Sequence, residues 1–492
     1  MKQLAHLIQN LPVLATSGTT HISISDLACD SRVVKPGDLF IAISGHKDDG
    51  HDHIAEALTK GAVAVVASRA VAQRNGATYI YVKETREALA HIAALFYGDP
   101  TETLDLIGIT GTNGKTTTTA LLNAILREAA LPFCSIGTLG TTTQGVTQPT
   151  GNTTPDALEL NRTFQKALNA GESLCTMEVS SHALTMKRVA GCRFKTGVFT
   201  NLTHDHLDYH GTMEAYYEAK KKLFHQVSDA IIVNADDPFG QRLLEEMTGT
   251  AKKTVTFGME TPAHIMARQV RGTPEGYRFT LSQGDDEVPV ALPLHGRYNI
   301  SNALAASAAA RSLGVPLETI ARGLGRTTTI SGRYEVINGP SKISVIIDYA
   351  HTPDAFKKLL EEVKERALGR VVMVFGCVGE RDRTKRPIMG EVAGRHAHHC
   401  IVTTDNSRSE SPETIAMEVC RGVKRAKGSF EVCLDRRRAI EMALLNAAPG
   451  DTILITGKGH EKTQHIGETV FHFDERAIVA HCFETITSQH AG

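Results

Sequence analysis

A glycine-rich segment near residue 110 contains residue types suited to binding phosphate. It runs Gly108-Ile-Thr-Gly111-Thr-Asn-Gly114-Lys115-Thr116-Thr117. Glycines let backbone amides approach phosphate oxygens, and the positive end of a following helix attracts anions. Lys115 would reach terminal phosphates, and Thr116 supplies the hydroxyl that such loops place on magnesium. The segment predicts a shortened phosphate loop, because Ile109 stands where the strict pattern has glycine; the alternative is a glycine-rich turn with an exposed lysine.

Two further segments carry candidate magnesium ligands. One is Met177-Glu-Val-Ser-Ser-His182, with the carboxylate of Glu178, and the other is the histidine-rich stretch from Asn201 to Gly211. Carboxylates are common magnesium ligands and histidine is an unusual one. From composition and spacing alone, His204, His206 and His210 are equally compatible with zinc ligands or ordinary loop histidines.

The elements that must position these residues can be read from apolar patterning. A buried-strand pattern at 104–110 leads through the glycine-rich turn into a helical segment at 116–130, which is the order strand, phosphate loop, helix. Further strands are predicted at 196–200 and 230–234, and an alanine-rich helix at 301–312. After residue 331, strands at 344–348, 371–375, 400–404 and 452–456 alternate with helical segments. That alternation favours a parallel sheet with helices on both faces.

The length of 492 residues predicts about three domains. Residues 1–98 alternate short apolar runs with helical stretches and end at Gly98-Asp-Pro, and the pattern changes again after Ser331-Gly-Arg. We therefore predict an α/β protein of three domains, 1–98, 99–331 and 332–492. The central domain would carry the phosphate loop on a mostly parallel α/β sheet, and the last would be Rossmann-like.

Composition excludes several classes of function. The chain has 53 Lys plus Arg against 54 Asp plus Glu, so it lacks the field that gathers nucleic acid or an anionic membrane. Trp is absent and aromatic residues make up 5%, which disfavours a stacking platform for single strands. Neither a signal segment nor a membrane span is predicted, so a cytoplasmic location is expected. The nine cysteines lack CxxC spacing and are expected to be reduced thiols.

Five blocks in this order resemble the Mur ligases, and the resemblance spans nearly the whole chain. They are Gly111-Thr-Asn-Gly-Lys-Thr-Thr117, Met177 to His182, Asn201 to Gly211, Gly296-Arg-Tyr-Asn299-Ile-Ser-Asn302 and Asp348-Tyr-Ala-His351-Thr-Pro-Asp354. Asp30-Ser-Arg32, Gly379-Glu-Arg-Asp382, Asp405-Asn-Ser-Arg408 and Gly457-Lys-Gly-His-Glu461 resemble the members that extend UDP-N-acetylmuramoyl-L-alanyl-D-glutamate.

The resemblance implies a UDP-binding N-terminal domain, a central ATPase domain and a C-terminal Rossmann-like domain. It also implies an ATP- and magnesium-dependent ligase of peptidoglycan precursor synthesis, acting on small molecules and expected to be a monomer. The γ-carboxylate of D-glutamate would become an acyl phosphate, which the incoming amine displaces.

Site residues are carried over by position. The nucleotide and magnesium would contact Gly111, Thr112, Asn113, Gly114, Lys115, Thr116, Thr117, Asn299, Asn302, Arg333 and Asp348. The UDP-muramoyl-dipeptide would contact Cys29, Ser31, His46, Asn152, Thr153, Thr154, Ser180 and Arg188. Glu178 and His206 would bind a second magnesium. The amino acid would contact Arg381, Asp405, Asn406, Ser407, Arg408, Gly457 and Glu461.

The modified lysine of the family falls at Lys220 in Tyr217-Glu-Ala-Lys-Lys-Lys-Leu-Phe224. The resemblance implies that a carbamate formed there turns an ammonium into a metal-binding anion, N6-carboxylysine. We hypothesise this modification because a cation would repel the magnesium that neighbouring ligands collect. Without the resemblance, the three lysines would be interpreted as a solvated helix face.

The identity of the added amino acid depends on the segment Asp405-Asn-Ser-Arg408. Family members that add meso-diaminopimelate carry DNPR there, and members that add lysine lack the arginine. The fork of Arg408 can bind a distal carboxylate bidentately and would be unpaired against the ammonium of lysine, which favours meso-diaminopimelate. Ser407 replaces the proline, which leaves L-lysine as an alternative, and Arg408 could instead be a surface arginine bonded to Glu410.

Two other classes remain to be distinguished. A folylpolyglutamate synthetase shares the phosphate loop and the amide chemistry, but the Asp30-Ser-Arg32 block and the DNSR segment fit it poorly. An ATP-gated binding module without catalysis would turn over ATP independently of any amino acid, whereas a ligase requires both acceptor and amine.

Overall fold

The computed structural model describes residues 1–45 and 48–490, and it divides into two compact units. The first comprises residues 1–110, 131–197 and 219–231, and the second comprises 111–130, 198–218 and 232–492. Each unit is α/β. The predicted domain boundaries after residues 98 and 331 stay predictions.

The N-terminal part of the first unit is built on a five-stranded sheet of order β2-β7-β6-β5-β4. Its elements are β1 Lys2–Gln3, α1 Leu4–Leu7, β2 Val13–Ser17, β3 Ser23–Ile24, β4 Leu27–Ala28, β5 Leu39–Ile41, α2 Ile54–Thr59, β6 Ala64–Ala67, β7 Thr78–Val82 and α3 Thr85–Tyr97. Strands β4 to β7 pair in parallel and β2 is antiparallel at the edge. Successive strand residues point to opposite faces, so Leu39 and Ile41 pack in one core and Phe40 in another.

The central segment contains both parallel and antiparallel strands. Its elements are β8 Asp105–Thr110, α4 Lys115–Glu128, β9 Phe133–Gly137, β10 Gly140–Thr143, β11 Val146–Gln148, α5 Ala157–Asn169, β12 Leu174–Glu178, α6 Ser181–Thr185, β13 Phe194–Phe199, α7 Leu207–His210, α8 Met213–His225, β14 Val227–Asn234, α9 Pro238–Met247, β15 Lys253–Gly258, β16 Ile265–Thr273, β17 Gly276–Gln283, β18 Asp286–Leu292, α10 Tyr298–Ser312 and α11 Leu317–Gly325.

Within the first unit, β12 pairs in parallel with both β8 and β9, while β10 and β11 extend the sheet in antiparallel fashion. Within the second unit, β15 is parallel to β16, and β16, β17 and β18 form an antiparallel ribbon. The parallel strands place Glu178 and Thr110 at the carboxyl ends of β12 and β8.

The last part of the chain is a six-stranded sheet of order β19-β20-β24-β21-β22-β23. Its elements are β19 Glu335–Asn338, β20 Ser344–Asp348, α12 Pro353–Arg366, β21 Val371–Phe375, α13 Lys385–His396, β22 His399–Val402, α14 Pro412–Arg425, β23 Phe430–Val432, α15 Arg436–Leu445, β24 Thr452–Thr456, β25 Thr463–Ile466, β26 Thr469–His472 and α16 Glu475–His490. All its pairings are parallel except that of β19 with β20.

The C-terminal sheet is covered on both faces, as predicted. Met373 and Phe375 of β21 pack with α12, α13 and α14, whereas Val372 and Val374 pack with α15 and α16. Helix starts are fixed by caps: the side chains of Thr352, Ser411 and Asp435 accept from the backbone N–H three residues later. The carboxyl ends of β20, β21, β22 and β24 therefore meet at one edge, where loops carry the candidate residues.

The predicted α/β class with mostly parallel sheets is confirmed, and predicted strands agree with the structure to within a few residues. Among the helices in the described part of the chain, none combines the length and apolar character that crossing a bilayer requires.

Candidate active site

The phosphate loop connects β8 to α4 and is shaped by two glycines in the left-handed region. Gly111 has φ 150° and Gly114 has φ 89°. A Cβ on Gly114 would lie 2.2 Å from Oδ1 of Asn302, and one on Gly111 would lie 1.9 Å from Oγ1 of Thr200. Only glycine fits at either position. Because Gly114 is the N-cap of α4, no side-chain cap covers the first turn, which suits an anion.

Polar contacts hold the loop in place. The backbone N–H of Asn113 donates to Oδ1 of Asn201 at 3.0 Å, and Oγ1 of Thr200 donates to the Asn113 carbonyl at 2.7 Å. Nζ of Lys115 donates to the carbonyls of Gly111 and Thr112 at 2.8 and 2.9 Å. The lysine thus lies across the loop, where it can reach the terminal phosphates of a nucleotide. Thr117 is buried at the start of α4.

The remaining predicted nucleotide residues lie in the same unit. Asn302 Nδ2 donates to Asn299 Oδ1 at 2.9 Å, and Arg333 donates to Oγ1 of Thr116 at 3.0 Å. The guanidinium of Arg333 also lies 4.5 Å from the centre of the Tyr349 ring. Asp348 accepts from two backbone N–H groups, and its burial raises the pKa of the carboxyl. These contacts fit the ATP and magnesium roles that the sequence predicts.

The first unit brings together Glu178 and most of the predicted dipeptide residues. Glu178 is 1% exposed and accepts from the N–H and hydroxyl of Thr138 at 2.8 and 3.1 Å. Thr153 shares a hydroxyl contact of 3.2 Å with Thr138. Thr154 donates to the Glu178 carbonyl at 2.8 Å and accepts from the N–H of Ser180 at 3.1 Å.

The other predicted UDP-dipeptide residues are spread over the first unit. Arg188 donates to the Thr154 carbonyl at 2.8 Å, and Asn152 is exposed on the same loop. Ser31 donates to Glu56 at 2.6 Å, and Cys29 is partly buried just before it. His46, also predicted here, lies outside the described residues.

Lys220 is 1% exposed on α8, whereas Lys222 is exposed and Lys221 is intermediate. The alternative of a solvated helix face is therefore wrong for Lys220. A charge buried to this degree requires compensating partners, whether the group is an ammonium or the carbamate that the metal role requires.

His206 is the N-cap of α7 and has φ 55°, and it lies in the second unit. Its Nε2 is 3.4 Å from Asp205, a buried carboxylate that also contacts Lys385 at 2.9 Å and His351 at 3.6 Å. Burial alone would raise the pKa of Asp205, yet its interactions with His351 and Lys385 hold it well below its usual range. His204 is not part of this group, since it contacts Asp382 at 2.9 Å.

The predicted amino-acid residues cluster at the carboxyl edge of the C-terminal sheet. Asn406 Nδ2 donates to Glu461 at 3.0 Å, and Asp405 is buried beside Gly457, where a Cβ would lie 2.3 Å from its carboxylate. Ser407 is fully buried. Arg381, on the facing loop, is partly exposed and makes no ion pair with any residue that the structure describes.

Arg408 has φ 52° and is tied to the β25–β26 hairpin by its backbone. Its guanidinium lies 3.9 Å from Glu380, beyond hydrogen-bond range. The alternative that Arg408 pairs with Glu410 is wrong, because Glu410 binds the buried Arg386 at 2.8 Å. Arg408 is thus in position to bind another carboxylate.

Sequence reasoning missed five charged residues that contact the predicted site residues or their neighbours: Asp205, His351, Glu380, Lys385 and Lys458. Four of them lie inside motifs that were quoted as blocks, and Lys385 lies outside those blocks. Asp205 and Lys385 pair although they are 180 residues apart in the chain. For the four, their positions inside those blocks were the available signal.

Comparisons with known proteins cover nearly the whole chain. Three family models match: "Mur ligase family, catalytic domain" at residues 23–97, "Mur ligase middle domain" at 109–310 and "Mur ligase, glutamate ligase domain" at 332–459. A UDP-N-acetylmuramoyl-L-alanyl-D-glutamate–2,6-diaminopimelate ligase of Alkaliphilus metalliredigens is 40% identical over 97% of this chain and 96% of its own. One of the same name from Caldanaerobacter subterraneus is 42% identical over 94% and 95%.

Solved structures give the same picture. One with that ligase name is 30% identical, has a TM-score of 0.68 and covers 99% of both chains. A folylpolyglutamate synthase of Mycobacterium tuberculosis has a TM-score of 0.62 at 17% identity, covering 75% of this chain and 92% of its own. The latter likeness shows a shared fold alone.

Proposed function

The chain belongs to the Mur ligase family, and from that premise we propose that it joins meso-diaminopimelate to the γ-carboxylate of D-glutamate in UDP-N-acetylmuramoyl-L-alanyl-D-glutamate. The observation that carries the proposal is the position of Arg408. Its backbone is tied to the β25–β26 hairpin, in the segment that also carries Asp405 and Asn406, and Asn406 in turn binds Glu461. Glu410 is bound by Arg386 instead. A carboxylate and an ammonium on one substrate carbon would find complementary partners there.

The reaction has two steps with ATP as a substrate. The γ-carboxylate oxygen of D-glutamate attacks the γ-phosphorus of ATP, which forms an acyl phosphate and releases ADP. The amine of diaminopimelate then attacks the acyl carbon, and the tetrahedral species collapses to an amide and inorganic phosphate. Phosphorylation is needed because a free carboxylate is a poor acyl donor.

The phosphate loop would bind ATP for the first step, the phosphorylation of the carboxylate. The start of α4 and the amides around Gly111 and Gly114 would hold the phosphates, and Lys115 would move from the loop carbonyls to the terminal phosphate. Asn299, Asn302, Arg333 and Asp348 would surround the nucleotide.

Magnesium would be held through Thr116 at one position and through Glu178 and the carbamate of Lys220, both in the first unit, at a second. When bound, the metal neutralises phosphate charge during transfer. The buried carboxylate of Glu178 and the burial of Lys220 fit this donor set. N6-carboxylysine at Lys220 is part of the proposal.

The UDP-muramoyl-dipeptide would bind the first unit through the residues named above, from Cys29 and Ser31 to Arg188. Thr154, Ser180 and Arg188 form one connected set next to Glu178. That connection would hold the glutamate carboxylate beside Glu178. We place the reaction in the cytoplasm, in peptidoglycan precursor synthesis, and propose a monomer.

The test is a ligation assay with a choice of amine. Purified protein, ATP, magnesium and UDP-N-acetylmuramoyl-L-alanyl-D-glutamate are mixed with meso-diaminopimelate or L-lysine, and the products are identified by mass spectrometry. We expect diaminopimelate product and ADP release that depends on both acceptor and amine. Equal or greater product with L-lysine would overturn the choice of amino acid, and ATP turnover without either substrate would favour a nucleotide-gated binding module.

A further inference from the structure

Lys458 follows β24 and its side chain is fully buried. Nζ donates to Asn406 Oδ1 at 2.9 Å and to Glu461 Oε2 at 3.2 Å, and it lies 3.7 Å from Asp405 Oδ1. A buried ammonium is costly unless it is surrounded by acceptors. All three of its neighbours are residues assigned to the amino-acid substrate, although Lys458 itself has no assigned role.

The neighbours of Lys458 form one connected set. Oδ1 of Asn406 accepts hydrogen bonds from Nζ of Lys458 and from the backbone N–H of His465. Its Nδ2 donates to Glu461 at 3.0 Å. Gln464 donates to the carbonyls of Thr404 and Asp405 at 3.1 and 3.3 Å. The ammonium therefore sits where the 405–408 segment meets the loop after β24.

Lys458 also sets the charge of this cluster. Asp405 and Glu461 bring two negative charges, and Lys458 cancels one of them, which leaves one surplus negative charge next to the positive charge of Arg408. The Arg436–Glu475 pair behind Asp405 is fully buried, with its atoms 2.6 Å apart, and adds no net charge. The surplus negative charge matches the ammonium at the distal end of diaminopimelate. Its carboxylate would bind Arg408, whose guanidinium lies beyond hydrogen-bond range of Glu380, at 3.9 Å.

We propose that Lys458 is a positioning residue that fixes both the geometry and the charge of the distal amino-acid site. This inference rests on the proposed function. Without Lys458, Asp405 and Glu461 would repel each other, and the cluster would carry two surplus negative charges. Such a site holds a zwitterion less well and a lone ammonium, as in L-lysine, comparatively better.

The experiment uses the full-length enzyme with Lys458→Met and Lys458→Gln. For both, we expect KM for meso-diaminopimelate to rise about 10- to 100-fold, because a misplaced substrate site commonly costs that much. KM for ATP should stay within about twofold. The ratio of kcat/KM for diaminopimelate over L-lysine should fall at least about fivefold. Gln keeps a donor toward Asn406, so its KM should rise less than that of Met.

Arg370→Met is the matched control. Arg370 pairs with the buried Asp451 at 2.7 Å, at the amino edge of the same sheet. The control should lower the melting temperature and leave KM and the amine ratio unchanged.

Unchanged KM and unchanged amine ratio in the Lys458 variants would overturn the inference, as would an equal change in Arg370→Met. Loss of folding in both Lys458 variants would assign the residue to stability and also overturn it. A wild-type enzyme that fails to ligate diaminopimelate would instead contradict the proposed function.

Discussion

At the scale of single residues, the most informative position is Arg408. The sequence left open whether it binds substrate or the nearby Glu410. In the structure, Glu410 forms an ion pair with Arg386, and the guanidinium of Arg408 lies 3.9 Å from the carboxylate of Glu380. A guanidinium at that distance keeps its fork available for a bidentate partner.

Replacing Arg408 with Met should lower kcat/KM for meso-diaminopimelate about 10- to 100-fold, since a hydrogen bond to a charged group contributes about 1.5–3 kcal/mol. Lys at this position should recover little of the loss, because it lacks the planar fork. The exposed Arg421→Met on α14 is the control and should behave as wild type. Steady-state kinetics with varied amine measures this, and a wild-type KM in Arg408→Met would contradict the assignment.

Lys220 gives a second prediction at this scale. Lys220→Ala should abolish ligation, because the proposed carbamate would be lost from the metal site. Lys222→Ala, an exposed lysine on the same helix, should retain activity. Product formation and a carbamate signal in ¹³C NMR after growth with labelled bicarbonate are the measurements. Near-normal turnover of Lys220→Ala would refute the role.

Sequence alone predicted the residue types of the site but not which of them pair. Lys458 and Glu461 are close in the chain, yet Lys458 and Asn406 are brought together by the fold. Apolar periodicity cannot predict such contacts, because it indicates which face of a helix or strand is buried and not which residues pack against that face. The burial of Lys220 was equally inaccessible from a run of three lysines.

At the scale of elements, the phosphate loop depends on a backbone conformation. Gly114→Ala should abolish ATP binding, because its Cβ would lie 2.2 Å from Asn302 Oδ1 in addition to the strain of positive φ. Gly145→Ala is the control: it has φ 74° and nothing within 4 Å, and it lies outside the phosphate loop, so it should bind ATP as the wild type does. Isothermal titration with ATP and magnesium distinguishes the two. Comparable affinity in both variants would show that the contact with Asn302 does not matter.

The loop between β22 and α14 should give the C-terminal domain an acid sensitivity. The hydrogen bond from Arg386 lowers the pKa of Glu410 from 4.5 to about 2. A lowered carboxyl pKa means that the stabilisation is complete above pH 4.5 and is lost as the pH falls through about 2.

Glu410→Gln should therefore reduce the free energy of unfolding at pH 7 by about 1.5–3 kcal/mol. It should also flatten the dependence of stability on pH between 4.5 and about 2. Urea unfolding at several pH values measures both, with Glu361→Gln, an exposed glutamate on α12, as the control. An unchanged slope would argue against the Arg386 contact as its source.

Strands and helices were predictable where their apolar pattern was strong. The four C-terminal strands agree almost residue for residue, because each is buried on both faces and bounded by polar turns. The antiparallel ribbon of β16 to β18 was not predicted. Its strands have mixed burial, so their sequences lack a clear period of two.

At the scale of the whole molecule, the burial of the cysteine thiols can be tested by chemical labelling. All nine cysteines are free; Cys29 and Cys433 are partly buried and the others are buried. Burial raises the pKa of both Cys29 and Cys433, which slows their reaction with disulfide reagents.

A thiol titration should count at most two reactive cysteines in the native protein and nine after denaturation. Adding UDP-N-acetylmuramoyl-L-alanyl-D-glutamate should protect Cys29 and leave Cys433 unprotected. Peptide mapping of the labelled protein identifies the sites. Protection of Cys433 alone would contradict the placement of the UDP substrate.

The α/β class followed from alternating strands and helices over the full length, and the comparisons place the chain in its family. The limits of the domains could not be fixed in the same way, because a boundary depends on which elements pack together. Composition and turn residues mark only where the chain leaves one element for the next.

The tight contact at Gly379 bears on the serine that replaces proline in the DNSR segment. A Cβ on Gly379 would lie 1.9 Å from the carbonyl oxygen of Ser407, and the Gly379 N–H donates to the backbone carbonyl of Asn406. A proline at position 407 would restrict the backbone of this segment through its ring. Here the loop that carries Gly379 packs against the segment and restricts it instead. Serine can therefore replace proline at position 407 without loosening the position of the Arg408 guanidinium, provided that residue 379 is glycine.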